Sequence, residues 1–198
     1  MSESSSPKVH RTAVVDRGVR LGPGTRVWHF CHLMKGAEIG ARCVLGQNCF
    51  VASGARLGDG VKLQNNVSVY DGVTLEDDVF CGPSVVFTNV LNPRAFVNRK
   101  REFVATRVKR GASIGANATI VCGVTLGEFS LVGAGAVVTQ DVPDYGLVMG
   151  VPSRQVGWVS RWGERLEFGA DDMAVCPATG ELYRKSPQGV ARHRGTGD

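Results

Sequence analysis

Aliphatic side chains return at every sixth residue along most of this chain. Stepping by six from Val15 reaches Leu21, Val27, Leu33, Ile39, Leu45, Val51, Leu57, Leu63, Val69, Leu75, Cys81 and Phe87. The count lapses, then resumes at Val108 with Ile114, Ile120, Leu126, Val132 and Val138. Seventeen of these nineteen slots hold Val, Leu or Ile, which make up 45 of the 198 residues. Chance at that frequency would fill only about four or five of them.

The position four residues further on is always small or β-branched, as in Thr25, Cys43, Ala55, Val73, Ala118 and Ser130. Gly follows the lattice residue in eight repeats, as in Leu45-Gly46 and Ile114-Gly115. Two inward positions in six fit short strands joined by tight turns and do not fit a helix of period 3.6. Strands this short bury little alone. Stacked as coils, each pairs with its predecessor about 4.8 Å away and a continuous aliphatic core forms. The pattern therefore predicts an all-β solenoid over residues 13–143. A flexible tail is expected over 1–12 and a capping extension over 144–198, where "QVGWVSRWGERLEF" would close the open end.

Composition changes this picture little. The chain has 198 residues and a formal net charge of +5, which suggests an anionic partner. Aromatic residues interleaved with the basic ones are few, so nucleic acid is a poor match. No apolar run is long enough to cross a bilayer. The opening MSESSSPK lacks a hydrophobic signal core, so a cytoplasmic protein is expected. Most of the six Cys fall on the inward lattice and read as small buried hydrophobes. Cys122 sits at an outward slot. "CPATGELYRK" resembles half a zinc knuckle, but a single Cys makes no metal site.

The lapse in the count is informative. Phe87 and Val108 stand 21 residues apart, which is not a multiple of six, so residues 88–107 must leave the lattice as a loop. Long loops in compact domains are usually functional or disordered. This one carries Arg94, Arg99, Lys100 and Arg101, and Asn92-Pro93 starts it with a turn. It reads either as a solvated basic loop or as an arm reaching an anionic ligand, on its own or a neighbouring subunit.

The repeat is the hexapeptide repeat, and residues 13–143 resemble the left-handed β-helix acyltransferases. That resemblance implies a three-sided prism of about six coils with left-handed winding, which the spacing alone does not. The segments "QNNVSVYDGVTLEDDVFCGPSVVFTNVLNPR" (64–94), "GANATIVCGVTLG" (115–127), "VGAGAVVTQDVP" (132–143) and "GVPSRQVGW" (150–158) narrow it. They look like the bacterial nucleotide-sugar N-acetyltransferases that act on the 3-amino group of UDP-2-acetamido-3-amino-2,3-dideoxyglucuronate in surface lipopolysaccharide and polysaccharide synthesis. The resemblance implies a homotrimer that binds acetyl-CoA between adjacent prisms near the C-terminal coils, with the sugar nucleotide nearby and no metal.

It also implies roles for particular residues. The Asn of "FTN", Asn89, would face the acceptor amine. Arg94 and Lys100 would meet anionic groups of the sugar nucleotide, where the planar Arg fork binds diphosphate or carboxylate bidentately. Tyr70 lies in the same specific block. Within "GVPSR", Pro152 and Arg154 would meet the adenine or 3′-phosphate end of CoA, and Ala116 and Ala134 would let its pantetheine arm pass close to the backbone.

His29 is the other catalytic candidate, because a general base in such a reaction is most often His. Stepping by 18 stacks it over Gln47 and Asn65, with Asn48 and Asn66 forming a second polar ladder beside it. The ladder reads equally as a surface column capping its own backbone and as a sugar-binding edge. Other readings remain: a dTDP-linked amino sugar as acceptor, an O-acetyltransferase with a His base, or a scaffold without catalysis. A γ-class carbonic anhydrase would need three His ligands, and the coils hold only His29 and His32.

Overall fold

A computed structural model describes residues 6–193. Among them there is no helix; twenty-five short strands carry the fold. Most are two residues long and end on a lattice aliphatic, as in Val44–Leu45, Lys62–Leu63 and Thr119–Ile120. Every third strand pairs in parallel with the next, which makes three faces. The first begins at Lys8–Val9, the second at Val14–Val15 and the third at Arg20–Leu21. Along the first face Arg26, Val44, Lys62 and Phe80 stack in register, 18 residues apart. One turn of the prism is thus three hexapeptides. The parallel coils are those of the left-handed β-helix of hexapeptide repeats.

From Val27 onward the lattice residues point inward and form one core; Leu21 packs at its edge, and Val15, in the first coil, is exposed. Leu33, Leu45, Leu63, Ile114, Ile120 and Leu126 are fully buried, and the i+4 residues Ala37, Cys43, Val61 and Ala118 sit among them. The off-pattern Cys81 and Phe87 are equally buried. Gly at the start of a turn lets successive coils touch. A Cβ on Gly22 would stand 2.6 Å from the Gly40 carbonyl oxygen of the next coil, closer than any real side chain tolerates.

The excursion leaves the prism and returns without disturbing it. Partners that flank it, such as Phe80 and Ser113 or Val86 and Thr119, are 33 residues apart instead of 18, so one coil carries 15 extra residues. The return comes slightly earlier than expected. Thr106 and Arg107, placed in the loop by the sequence pattern, rejoin the third face opposite Val73 and Thr74. The Asn89 carbonyl accepts the Val104 N–H at 3.0 Å and closes the neck of the loop.

The ends also differ from expectation. Lys8–Val9 lies inside the segment 1–12 expected to be a tail, yet it pairs with Arg26–Val27 and starts the first face. Residues 1–5 of the expected tail lie outside the described residues, as do 194–198. At the other end, Gly146–Met149 adds a last strand to the first face, and Arg154–Trp158 folds back on it antiparallel. Beyond that, Met173–Val175, Leu182–Ser186 and Gly189–Arg192 form a small antiparallel sheet with its own core of Leu166, Ala174, Cys176, Tyr183 and Val190. Tyr145 and Trp158 pack that core against the end of the prism. Cys176 contacts the Ser160 hydroxyl at 3.3 Å. Among the described residues no group of three or more His, Cys, Asp or Glu could hold a metal ion. Nor, among the described residues, is any helix long and apolar enough to cross a membrane.

Candidate active site

The expected site residues fall on two corners of the prism. On the corner between the first and second faces, the coil repeat stacks His29, Gln47 and Asn65, and then Pro83, Ala116 and Ala134. Turn-to-turn hydrogen bonds mark the column. The Asn48, Asn66 and Ser84 N–H groups donate to the His29, Gln47 and Asn65 carbonyls at 2.9 Å, and Gly135 donates to Ala116 at 2.8 Å. The segment Gly150–Ser153 crosses the top of this corner. Val137 donates to Gly150 at 3.0 Å, and Ser153 donates back to Val137 at 2.8 Å. The structure thus gathers Ala116, Ala134, Pro152 and Arg154 at the C-terminal end of the same edge that carries His29, Gln47, Asn65 and Asn66 at the other.

Part of the polar ladder is engaged within itself, once with its own backbone and once side chain to side chain. Asn65 Oδ1 accepts the Gln47 N–H at 2.9 Å, and Asn48 Nδ2 donates to Asn66 Oδ1 at 3.2 Å. Asn48 and Asn66 have φ of 58° and 63°, a left-handed conformation that Asn tolerates better than most residues. Their place in the turns explains the choice of Asn. The His29 ring is engaged differently: His10 stacks on it with ring centroids 3.6 Å apart.

The upper part of the corner suits a thin, flexible ligand arm. Ala116 and Ala134 offer only methyl groups, and a Cβ added to Gly135 would meet nothing within 4 Å. Pro152 and Arg154 are exposed above them. Arg154 Nη1 donates to its own Ser153 carbonyl at 2.9 Å, which leaves the rest of its guanidinium fork to solvent.

The other expected residues stand on the corner between the second and third faces. Tyr70 sits there, its ring 5.8 Å from Phe50. Asn89 follows Phe87 at the root of the loop and is half-buried. Its side chain makes no hydrogen bond among the described residues. Arg94 and Lys100 are exposed on the loop, and Arg94 Nη1 reaches only the Pro93 carbonyl, at 2.9 Å. Arg99, one of the four loop cations, is already spent on Glu102 at 2.7 Å. The loop also exposes Leu91 and Phe96, the latter 88% accessible. In a single chain, then, the second face separates the loop group from the ladder and its small-residue strip.

Two features escape the sequence pattern. Cys122 occupies an outward slot yet is buried. Thr88 Oγ1 accepts its N–H at 2.9 Å, and the returning loop covers this corner, where a Cβ on Gly123 would meet Val104 at 3.1 Å. The third face carries a groove of about 430 Å³ with Glu38, Arg56, Asp77, Arg110 and Glu128 in its walls. Its charges largely answer one another: Glu38 pairs with Arg20 and, at 4.0 Å, with Arg56. Spacing finds neither feature, because one depends on the path of the loop and the other on side chains up to four coils apart.

Known proteins resemble this architecture and this sequence. The hexapeptide repeat model of succinyl-transferases matches residues 36–71 and 110–140, and the six-repeat bacterial transferase hexapeptide model matches 9–53. The dTDP-3-amino-3,6-dideoxy-alpha-D-galactopyranose 3-N-acetyltransferase of Aneurinibacillus thermoaerophilus is 46% identical over 92% of this chain and 93% of its own length. Among solved structures, the acetyltransferase domain of PglB from Neisseria gonorrhoeae in complex with acetyl coenzyme A has a TM-score of 0.52 at 23% identity. The match covers 77% of this chain and 58% of that one. A mutant of the N-acyltransferase AntD from Bacillus cereus, in complex with dTDP and coenzyme A, has a TM-score of 0.50 at 20% identity and covers 80% and 85%. At those identities the solved structures speak for the fold alone. The near full-length relative goes further: this chain belongs to the hexapeptide-repeat N-acetyltransferases of nucleotide-linked amino sugars and is an acyltransferase.

Proposed function

We propose that the protein transfers an acetyl group from acetyl-CoA to the 3-amino group of a dTDP-linked deoxy sugar, and that it does so as a homotrimer in the cytoplasm. One observation carries the assembly. The strip suited to a pantetheine arm and the basic loop with Asn89 occupy different corners of one prism, so a shared site needs the loop corner of a neighbouring chain. Leu91 and Phe96, apolar and exposed at the loop, fit burial against such a neighbour. The choice of dTDP rests on the relative named above. The UDP-linked amino glucuronate remains the second reading, carried by the 64–94 segment.

The chemistry follows from what an amide-forming site must do. The neutral amine attacks the thioester carbonyl, the C–N bond forms, and the C–S bond then breaks. Holding both substrates on one edge supplies much of the rate by proximity. The Asn89 carboxamide is a poor base but can accept a hydrogen bond from the amine and aim its lone pair. The proton lost by nitrogen passes to the departing thiolate, directly or through water, so CoA leaves as the thiol. Arg94 and Lys100 hold the diphosphate or other anionic groups. The test is CoA release against a panel of dTDP- and UDP-linked amino sugars. Turnover of a dTDP-3-amino sugar alone supports the first reading. Turnover confined to the UDP amino glucuronate replaces it with the second, and release with neither removes both.

A further inference from the structure

Against the polar ladder, and sharing His29, Gln47 and Asn65 with it, lies a pocket to which the sugar and CoA assignments give no particular group of the ligand. It has a volume of about 250 Å³ and its walls include Trp28, His29, Val44, Gln47, Leu63 and Gln64. That is below the roughly 300–1,000 Å³ typical of a site that takes a whole drug-sized ligand, so the pocket fits one part of a larger molecule. Its chemistry is layered. Trp28 and His29 present nearly parallel rings, with planes 9° apart and centroids separated by 6.2 Å. His10 backs the His29 ring at 3.6 Å and fixes its plane. The indole of Trp28 is 45% exposed, which is unusual for so large an apolar group and leaves a flat face open. The half-buried Val44 side chain supplies an apolar patch of floor. The Gln47 and Gln64 carboxamides complete the rim and make no side-chain hydrogen bonds among the described residues.

We propose that this pocket holds the pyrimidine base of the sugar nucleotide; the inference rests on the nucleotide-sugar reading given above. A free carboxamide offers one N–H donor and one carbonyl acceptor side by side, which matches the alternating carbonyl and N–H edge of uracil or thymine. The aromatic pair supplies the stacking surface. The pocket also lies at the far end of the corner from Ala116, Ala134 and Pro152. A nucleotide sugar anchored here by its base extends its sugar along the edge toward the acetyl donor. Trp28 and Gln64 are therefore binding residues for the base, and His10 is a positioning residue that acts through His29.

The experiment measures binding of free dTDP, UDP, GDP and CoA to the intact protein by calorimetry, for wild type, Trp28→Ala, Trp28→Phe and Gln64→Ala. Melting curves confirm that each variant is folded. Wild type is expected to prefer dTDP and UDP to GDP. Loss of the indole is expected to weaken dTDP about 10–100-fold, the range for one stacked base, with CoA unchanged and with partial rescue by Phe. Gln64→Ala is expected to narrow the preference for pyrimidine over GDP. A wild type that binds dTDP together with an unaltered Trp28→Ala overturns the base pocket and leaves the nucleotide-sugar reading standing. A wild type that binds none of the three nucleotides removes both. Equal weakening of dTDP and CoA by Trp28→Ala assigns the indole to general structure and also overturns the proposal.

Discussion

Asn89 and His29 cannot serve the same reacting atom within one chain. His29 belongs to the coil of Arg26–Val27 and His32–Leu33, on the corner between the first and second faces. Asn89 follows Val86–Phe87, three coils higher, on the next corner. Three coil spacings of about 4.8 Å put them roughly 14 Å apart along the prism alone. Packing neighbours side by side on a three-fold axis parallel to the prism would bring two corners together without removing that height. An amine oriented by Asn89, as proposed, would therefore lie beyond reach of the His29 imidazole.

Asn89→Ala is expected to lower kcat by about 10–1000-fold, in line with losing one positioning contact. The fold survives, because Asn89 is not a core aliphatic. His29→Ala is expected to leave kcat nearly intact and to raise KM for the sugar nucleotide. A general base would instead cost about 10²–10⁴-fold in kcat. Kinetics of both variants on one substrate decide the matter. A nearly silent Asn89→Ala beside an inactive His29→Ala would overturn the baseless mechanism.

Arg94→Ala separates the substrates. The Arg94 side chain contacts only the Pro93 carbonyl within its own loop, so its removal costs little local structure. KM for the sugar nucleotide should rise at least tenfold while KM for acetyl-CoA stays within about twofold, the pattern of a lost charge-assisted contact to one ligand. Equal increases in both would instead place Arg94 in loop folding.

Sharing of the site between chains has its own signature. On the proposed shared site, an Asn89→Ala subunit would lack the loop half and an Ala134→Trp subunit would have a blocked donor strip; each is expected to be strongly impaired alone. Co-refolded in equal amounts, they should regain activity at about a quarter of their interfaces, where an intact loop meets an intact strip. No recovery on mixing, or a fully active monomer in sedimentation, would return the whole site to one chain.

The core was legible because its period is strict. A slot every six residues left no alternative inward set, and even the substituted Cys81 and Phe87 fall where the count puts them. The site was legible only as fragments. Ala116, Ala134 and Pro152 lie dozens of residues from His29, and only stacking through the 15-residue insertion puts them on one edge. The burial of Cys122 and the pairing of Arg99 with Glu102 depend on how the loop folds back, which has no period to read. The start at Lys8 was within reach of the same count, because Val9 stands six residues before Val15 and Ala13 fills the small position after it; beginning the count at Val15 left that slot in the tail.

Coil contact can be tested away from the site. At Gly22 an added methyl group meets the backbone of Gly40 and Ala41, which no rotamer change can relieve. Gly22→Ala is expected to destabilise the protein by about 1–3 kcal/mol, the usual cost of overpacking, although the same change in an open strand would be favourable for chain entropy. At Gly36, where a Cβ would meet nothing within 4 Å but φ is +86°, the penalty comes from the backbone alone and should be smaller. Chemical denaturation of the two variants compares them directly. A Gly22→Ala protein as stable as wild type would mean the coils can separate without cost.

The last prediction concerns pH and the C-terminal module. The Tyr183 ring is fully buried, and its hydroxyl donates to Glu181 Oε2 at 3.1 Å and accepts the Arg161 N–H at 3.0 Å. Burial, with the Glu181 carboxylate adding to it, pushes the Tyr183 phenol up to about 12 from an ordinary value of 10. A pKa raised by folding means the native state holds its proton more tightly than the unfolded chain. The associated stability is complete below about pH 10 and is lost as pH rises toward 12, amounting to at most roughly 2–3 kcal/mol. Glu181 moves the other way. Desolvation alone would raise it, but the Tyr183 hydroxyl and the Arg161 guanidinium outweigh that and hold the carboxyl below its usual range. Its contribution is therefore lost as pH falls into the acid range. Thermal melts between pH 8 and 12, with tyrosinate absorbance followed in parallel, should show Tyr183→Phe less stable than wild type at pH 8, with the gap closing as pH rises toward 12. A gap that stays constant across this range would show that the hydroxyl does not titrate with folding.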